Sequence, residues 1–95
     1  MKYYNKGIAA HLEAILKLLD DDHLVFQNIQ GVGPIDIVTV NKETGKVVFY
    51  DAKSDRERAH KKRSQTKIQK KLGVKNFYVN LHKRTWRLEG KVGKL

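Results

Sequence analysis

The sequence predicts a single α/β domain of element order αβββαβ, with a central mixed β-sheet flanked by helices. Three observations lead there. A helical repeat of apolar residues occupies the first twenty positions, three runs rich in β-branched and aromatic residues follow, and a basic helical segment ended by Gly73 precedes a fourth such run. The 95 residues suit one core rather than two, and with no cysteine that core has neither disulfides nor thiolate-bound zinc to support it.

From Lys6 to Asp20, the apolar residues Ile8, Leu12, Ile15, Leu16 and Leu19 share one helical face, with Asn5 as the N-cap. Asp20-Asp21-Asp22 opposes the helix dipole and should stop the helix. Leu24–Ile29 reads as a strand, and Gly31-Val32-Gly33-Pro34 breaks it. Ile35–Val40 and Lys46–Lys53 read as two arms of a hairpin turning through Lys42-Glu43-Thr44-Gly45. Both arms are apolar on both faces, which predicts central strands covered on each side. The charged stretch 53–62 is expected to be an irregular or lightly helical link. Ser64 then caps a helix over 64–72, whose face of Gln65, Ile68, Gln69 and Leu72 docks on the sheet. Asn76–Leu81 is the next strand, Thr85–Leu88 a short edge strand, and the Gly/Lys tail is expected to fray.

Charge is unevenly distributed. Residues 1–52 hold five Lys/Arg and seven Asp/Glu, a net of −2, whereas residues 53–95 hold fifteen and three, a net of +12. A basic half of this kind is the electrostatic footprint of a protein that neutralises phosphates, although anionic membranes and acidic proteins would attract it too. Arg56, Arg58, Lys61, Lys62, Arg63, Lys67, Lys70 and Lys71 are the expected DNA contacts, since they follow the third strand and continue onto the second helix. No apolar run approaches the roughly 18 residues of a membrane span. The opening residues carry no apolar leader core, giving the expectation of an intracellular protein, cytoplasmic or nucleoid-associated, with a phage-encoded origin compatible.

Asp36, Asp51 and Lys53 interrupt apolar strands, where an unpaired charge is costly to bury. With a four-residue loop, Asn41 pairs with Lys46, and counting back sets Asp36 opposite Asp51. Directly opposed side chains have Cβ atoms about 4.5–5.5 Å apart, close enough for two carboxylates to hold one cation and repulsive without it. An all-oxygen ligand set favours Mg²⁺ or Mn²⁺. Such a cation polarises a phosphodiester and lowers the pKa of bound water, with Lys53 on the same strand face to act on developing negative charge. The plainer alternative is a buried ion-pair cluster in which Lys53 or a neighbouring arginine neutralises the acids.

Gly33-Pro34-Ile35-Asp36, followed after a hairpin by Asp51-Ala52-Lys53, resembles the PD-(D/E)XK nuclease motif, and the αβββαβ order is similar to the restriction-endonuclease-like core of that superfamily. The likeness spans about residues 7–81, leaving 82–95 as a C-terminal extension of one nuclease domain. Glu13 on the first helix, the Gly-rich approach to Asp36, and Arg63-Ser64-Gln65 opening the second helix most resemble VRR-NUC domains and archaeal Holliday-junction resolvases. The resemblance implies a Mg²⁺- or Mn²⁺-dependent DNA endonuclease in which Glu13, Asp36 and Asp51 are metal-site acids and the Ala52 carbonyl is a further ligand. It also implies that Lys53 is the catalytic lysine and that Gln65 assists. Selectivity for branched or four-way DNA and a symmetric homodimer follow from the same likeness, with Tyr3, Tyr4 and the 85–88 segment around Trp86 as interface candidates. The family's Pro-Asp pair is here split by Ile35, and the second acid is Asp rather than the commoner Glu.

Several residues also carry plainer readings. Glu13 could pair with Lys17 one turn on, and Gln65 could bond a backbone group. His11, His23, His60 and His82 show no metal-ligand spacing and read as surface or phosphate-side residues, and Trp86 and Tyr78 read as core. Rival functions are a noncatalytic DNA-binding module on a nuclease-like fold and a sequence-specific endonuclease. A basic RNA-binding protein is disfavoured, since no aromatic stacking motif falls on adjacent strands.

Overall fold

Helix α1 (Lys6–Leu18) lies on one face of a sheet and meets it through its smallest side chains. The computed structural model describes residues 6–29, 33–54 and 65–95. After α1 come strands β1 (His23–Gln27), β2 (Ile37–Asn41) and β3 (Val47–Ser54), helix α2 (Lys67–Leu72), and strands β4 (Lys75–Asn80), β5 (Thr85–Leu88) and β6 (Lys91–Lys94). The expected αβββαβ order is present, and two further strands extend it. All six strands form one mixed sheet in sequence order, with β3 and β4 parallel and the other neighbours antiparallel. The molecule is thus a small α/β domain. The tail expected to fray is β6, paired with β5 from Thr85–Lys94 to Leu88–Lys91.

The hairpin follows the predicted register. Asn41 donates its N–H to the Lys46 carbonyl (2.9 Å), its Oδ1 accepts from the N–H groups of Glu43 and Thr44, and Gly45 takes φ +73°, a conformation that L side chains resist. Ile37 then sits opposite Tyr50 and Val40 opposite Val47. The regular pairing ends at Ile37: the Asp36 N–H bonds the Tyr50 carbonyl, one residue out of step with the expected count, and the Asp36 side chain still reaches Asp51.

The buried face of α1 differs from the periodicity. Ala10 and Ala14, both 0% exposed, meet Ile37, Tyr50, Phe77 and Val79 in the core, with Ile15 and Leu18 packed beside them. Ile8, Leu12, Leu16 and Leu19 are exposed instead. The bulk comes from the sheet, where Tyr50, Phe77 and Trp86 fill the space that larger helix residues would need, so a close helix–sheet approach selects alanine. Helix termination does follow the sequence: α1 ends before Asp20, whose Oδ1 accepts the Asp22 N–H at 2.8 Å. The expected Asn5 cap lies outside the described residues.

Helix α2 is shorter than expected. Its N-cap is Thr66 rather than Ser64, in a capping box with Gln69, and Gly73 closes it at φ +68°. Ile68 and Leu72 remain exposed, and Gln69 is the buried residue of the helix. The expected docking of an apolar face is therefore replaced by a polar anchor. Lys53 lies in β3 as the strand reading expected, β3 runs on through Ser54, and the rest of the expected link, 55–62, is outside the described residues.

Strand alternation turns Ile37, Val48, Tyr50 and Ala52 toward α1, and Asp36, Val38, Val40, Phe49, Asp51 and Lys53 away. Both sheet faces were expected to be covered. Among the described residues, the face away from α1 leaves Leu24, Phe26 and Val47 about half exposed. On the α1 side, Trp86 stacks on Phe77 with ring centroids 5.6 Å apart and lies over Gly93, its cross-strand partner. A β-carbon at Gly93 would come within 2.6 Å of the indole. Gly93→Ala should therefore displace Trp86 and destabilise the fold by about 1–3 kcal/mol, seen as a lower denaturation midpoint with a shifted tryptophan emission. An unchanged midpoint would show that the ring is not held there.

Candidate active site

Asp36 is fixed from both neighbouring strands. Its N–H donates to the Tyr50 carbonyl at 2.9 Å, and its carbonyl accepts from the Asn28 N–H at 2.8 Å. Gly33, at φ +111°, makes the turn that brings Pro34 and Asp36 to this position, and Asn28 Nδ2 donates to the Ile35 carbonyl at 3.0 Å. The inserted Ile35 thus leaves Asp36 at the start of β2. Its carboxylate accepts the Ala52 N–H at 2.8 Å.

Asp51, 8% exposed, stands on the adjacent strand of the same face. One of its oxygens accepts from Gln69 Nε2 at 2.9 Å and forms an ion pair with Lys53 Nζ at 2.8 Å. Gln69 Nε2 also donates to the Pro34 carbonyl at 3.1 Å, and Gln69 Oε1 accepts the Thr66 N–H at 3.1 Å. One buried amide therefore ties the α2 N-terminus, the turn before β2 and the β3 carboxylate together.

The two acids titrate in opposite directions. Burial pushes the Asp36 carboxyl up to about 6; a hydrogen bond to Asp51 and that residue's charge push the same way, against the Ala52 N–H and the positive charge of His11. Burial also acts to raise Asp51, but hydrogen bonds from Asp36, Lys53 and Gln69 outweigh it and hold this carboxyl below its usual range. Lysine and amide neutralise and satisfy Asp51, while Asp36 has no cation of its own and is held by the Ala52 N–H and by a proton it shares with Asp51. The ion-pair alternative therefore accounts for one acid and leaves the other in conflict. A divalent cation shared by the two carboxylates would resolve that conflict, so the donor set fits Mg²⁺ or Mn²⁺.

Among the expected site residues, Asp36, Asp51 and Lys53 come together; Ala52, expected to offer its carbonyl, gives its N–H to the Asp36 carboxylate. Glu13 does not join them: it accepts from Arg84 Nη2 at 3.1 Å, because α1 lies on the opposite sheet face from Asp51. No group of three or more acidic or imidazole side chains converges among the described residues. Gln65 is also elsewhere, donating to the Val74 carbonyl at 2.6 Å and facing Asn76 Oδ1 at 3.4 Å. Gln69, one turn later, holds Asp51 instead, and the sequence signal for it was the Thr66–Gln69 capping box ahead of Leu72-Gly73. His11, read from sequence as a surface or phosphate-side residue, is near enough for its charge to act on Asp36. Lys67, Lys70 and Lys71 are exposed on α2, whereas Arg56, Arg58, Lys61, Lys62, Arg63 and His60 lie outside the described residues.

Comparison of the chain with protein-family models, with curated proteins and with solved structures gave no match.

Because the folded Asp36 carboxyl binds its proton more tightly than an unfolded aspartate does, its contribution to stability is greatest in acid and is lost as pH rises through about 6. Asp36→Asn keeps an acceptor for Ala52 and supplies a permanent donor to Asp51. Without divalent ions it should melt above wild type at pH 8, by an amount that shrinks below pH 6. A melting difference that does not vary with pH would contradict the shared-proton arrangement.

Proposed function

We propose that the chain is a divalent-cation-dependent DNA endonuclease built on a restriction-endonuclease-like core, hydrolysing phosphodiester bonds and selective for branched DNA. The observation that supports this most is the half-neutralised pair Asp36–Asp51, with Lys53 on the same strand face and the lysines of α2 exposed nearby. Asp36 and Asp51 would hold Mg²⁺ or Mn²⁺, which when bound supplies a Lewis acid for the phosphate and a more acidic water. Lys53 meets negative charge as it develops on the phosphate, and its ion pair with Asp51 sets where its ammonium stands. Gln69 orients Asp51 and acts as a positioning residue. Lys67, Lys70 and Lys71 would contact phosphates irrespective of sequence.

Asp36→Asn, Asp51→Asn and Lys53→Ala should each lower cleavage of labelled linear, flapped and four-way DNA by at least a hundredfold in Mg²⁺ or Mn²⁺, with EDTA abolishing it and binding largely retained. If wild type binds all of these without cutting any in either metal, the chain is a DNA-binding module on this fold.

The homodimer is part of the same proposal, and of the surface expected for it only the 85–88 segment is among the described residues. Trp86 and Leu88 pack against the core, Arg87 stacks on Tyr78, and Tyr3 and Tyr4 are outside the described residues. We assign a second copy to the α1 stripe of Ile8, Leu12, Leu16 and Leu19, which a two-fold axis would make self-complementary while pairing two sites for two strands. Sedimentation at micromolar concentration should give twice the 11.0 kDa of one chain, and Leu12→Glu with Leu16→Glu should return it to one. Dimers that survive both substitutions would exclude this face.

A further inference from the structure

Next to the acidic pair, on the same face of the sheet, is a cleft of about 500 Å³ lined among others by Gln65, Lys75, Asn76, Tyr78, Arg87 and Val92. We propose that it is a subsite for one unpaired nucleotide of the substrate, a reading that rests on the nuclease proposal above. Register fixes its position. Asp51 pairs with Asn76 and Lys53 with Tyr78 across β3–β4, Tyr78 pairs with Arg87, and Arg87 pairs with Val92. Neighbouring strands are about 4.8 Å apart, so Asn76 and Tyr78 stand one strand from Asp51 and Arg87 two. Bases in a duplex are stacked at roughly 3.4 Å, and one that stays in its stack has no access to a cleft lying sideways across the sheet. A base turned out of the stack does.

The lining has the chemistry such a base requires. The Arg87 guanidinium carbon lies over the Tyr78 ring, 3.9 Å from its centroid, with both residues in the cleft wall, and a guanidinium over an aromatic ring is a stacking platform for unpaired bases. Asn76 and Gln65 bring side-chain amides with donors and acceptors, suited to a base edge. These amides are held in place: Gln65 Nε2 faces Asn76 Oδ1, and Asn76 Nδ2 faces the Tyr78 hydroxyl, each at 3.4 Å. Lys75 pairs with the exposed Glu89 at 3.2 Å, so the cation for a flanking phosphate is restrained by an acid that an incoming phosphate must replace. Cleft volumes of roughly 300–1,000 Å³ are those of small-ligand sites, large enough for a nucleotide and too small for a duplex. Branched DNA presents unpaired bases where strands diverge, which gives the subsite a place in the proposed selectivity.

The test measures binding in EDTA, with the full chain and two probes, a labelled oligothymidylate of six nucleotides and a blunt duplex. Arg87→Ala should weaken the oligothymidylate about tenfold and the duplex by less than threefold, and Arg87→Lys, which keeps the charge and loses the plane, should resemble Arg87→Ala. Glu89→Gln, at an exposed position, should tighten the oligothymidylate severalfold by releasing Lys75. Equal losses on both probes, or no loss with Arg87→Ala together with no gain from Glu89→Gln, would overturn the subsite. Because nothing is cut in EDTA, the outcome is separate from the nuclease reading: chains that bind the oligothymidylate as described but never cleave in Mg²⁺ or Mn²⁺ would retain the subsite and lose the nuclease.

Discussion

Two carboxylates on neighbouring strands of one sheet face cannot both ionise in a poorly solvated position unless something neutralises the second. That constraint organises this molecule. Lys53 and Gln69 satisfy Asp51, whereas burial, with a hydrogen bond to Asp51 and that residue's charge, makes the Asp36 carboxyl retain a proton to about pH 6. In the proposed chemistry a proton and a divalent cation compete for that same place between the carboxylates.

The rest of the architecture serves that pair. The Asn41–Gly45 turn sets the β2–β3 register that brings the acids next to one another. The parallel β3–β4 pairing requires a crossover, and α2, lying within that crossover, carries Gln69 to Asp51. The same pairing continues the site sideways, through Asn76 and Tyr78 to Arg87, into the cleft. Helix α1 is confined to the other face, where its alanines complement the large side chains of the sheet. This separation explains why Glu13 meets Arg84 instead of the acids.

Much of this was legible in the sequence, because the signals were local. Turn chemistry at Asn41–Gly45 and the period of two in the strands placed Asp36, Asp51 and Lys53 on one face before any coordinates. The misreadings came from packing partners that sequence does not reveal. The apolar stripe of α1 reads as a core face by periodicity alone, whereas volume complementarity with Tyr50, Phe77 and Trp86 selected Ala10 and Ala14. Gln65 and Gln69 read by periodicity as one helical face, and only the capping box with Thr66, which starts α2 after Gln65, distinguishes the one that reaches the acid. The final strand was hidden by its Gly and Lys content, since Gly93 matters as the space into which Trp86 packs.

The central claim is that Asp36 exchanges its proton for a divalent cation. Calorimetric titration of the protein with Mn²⁺ at pH 6, repeated in buffers of different ionisation enthalpy, counts the protons released on binding. With the Asp36 carboxyl at about 6, about half a proton should leave per cation bound at that pH and almost none at pH 8. Binding of Mn²⁺ with no proton release at pH 6, or no binding at either pH, would contradict the account.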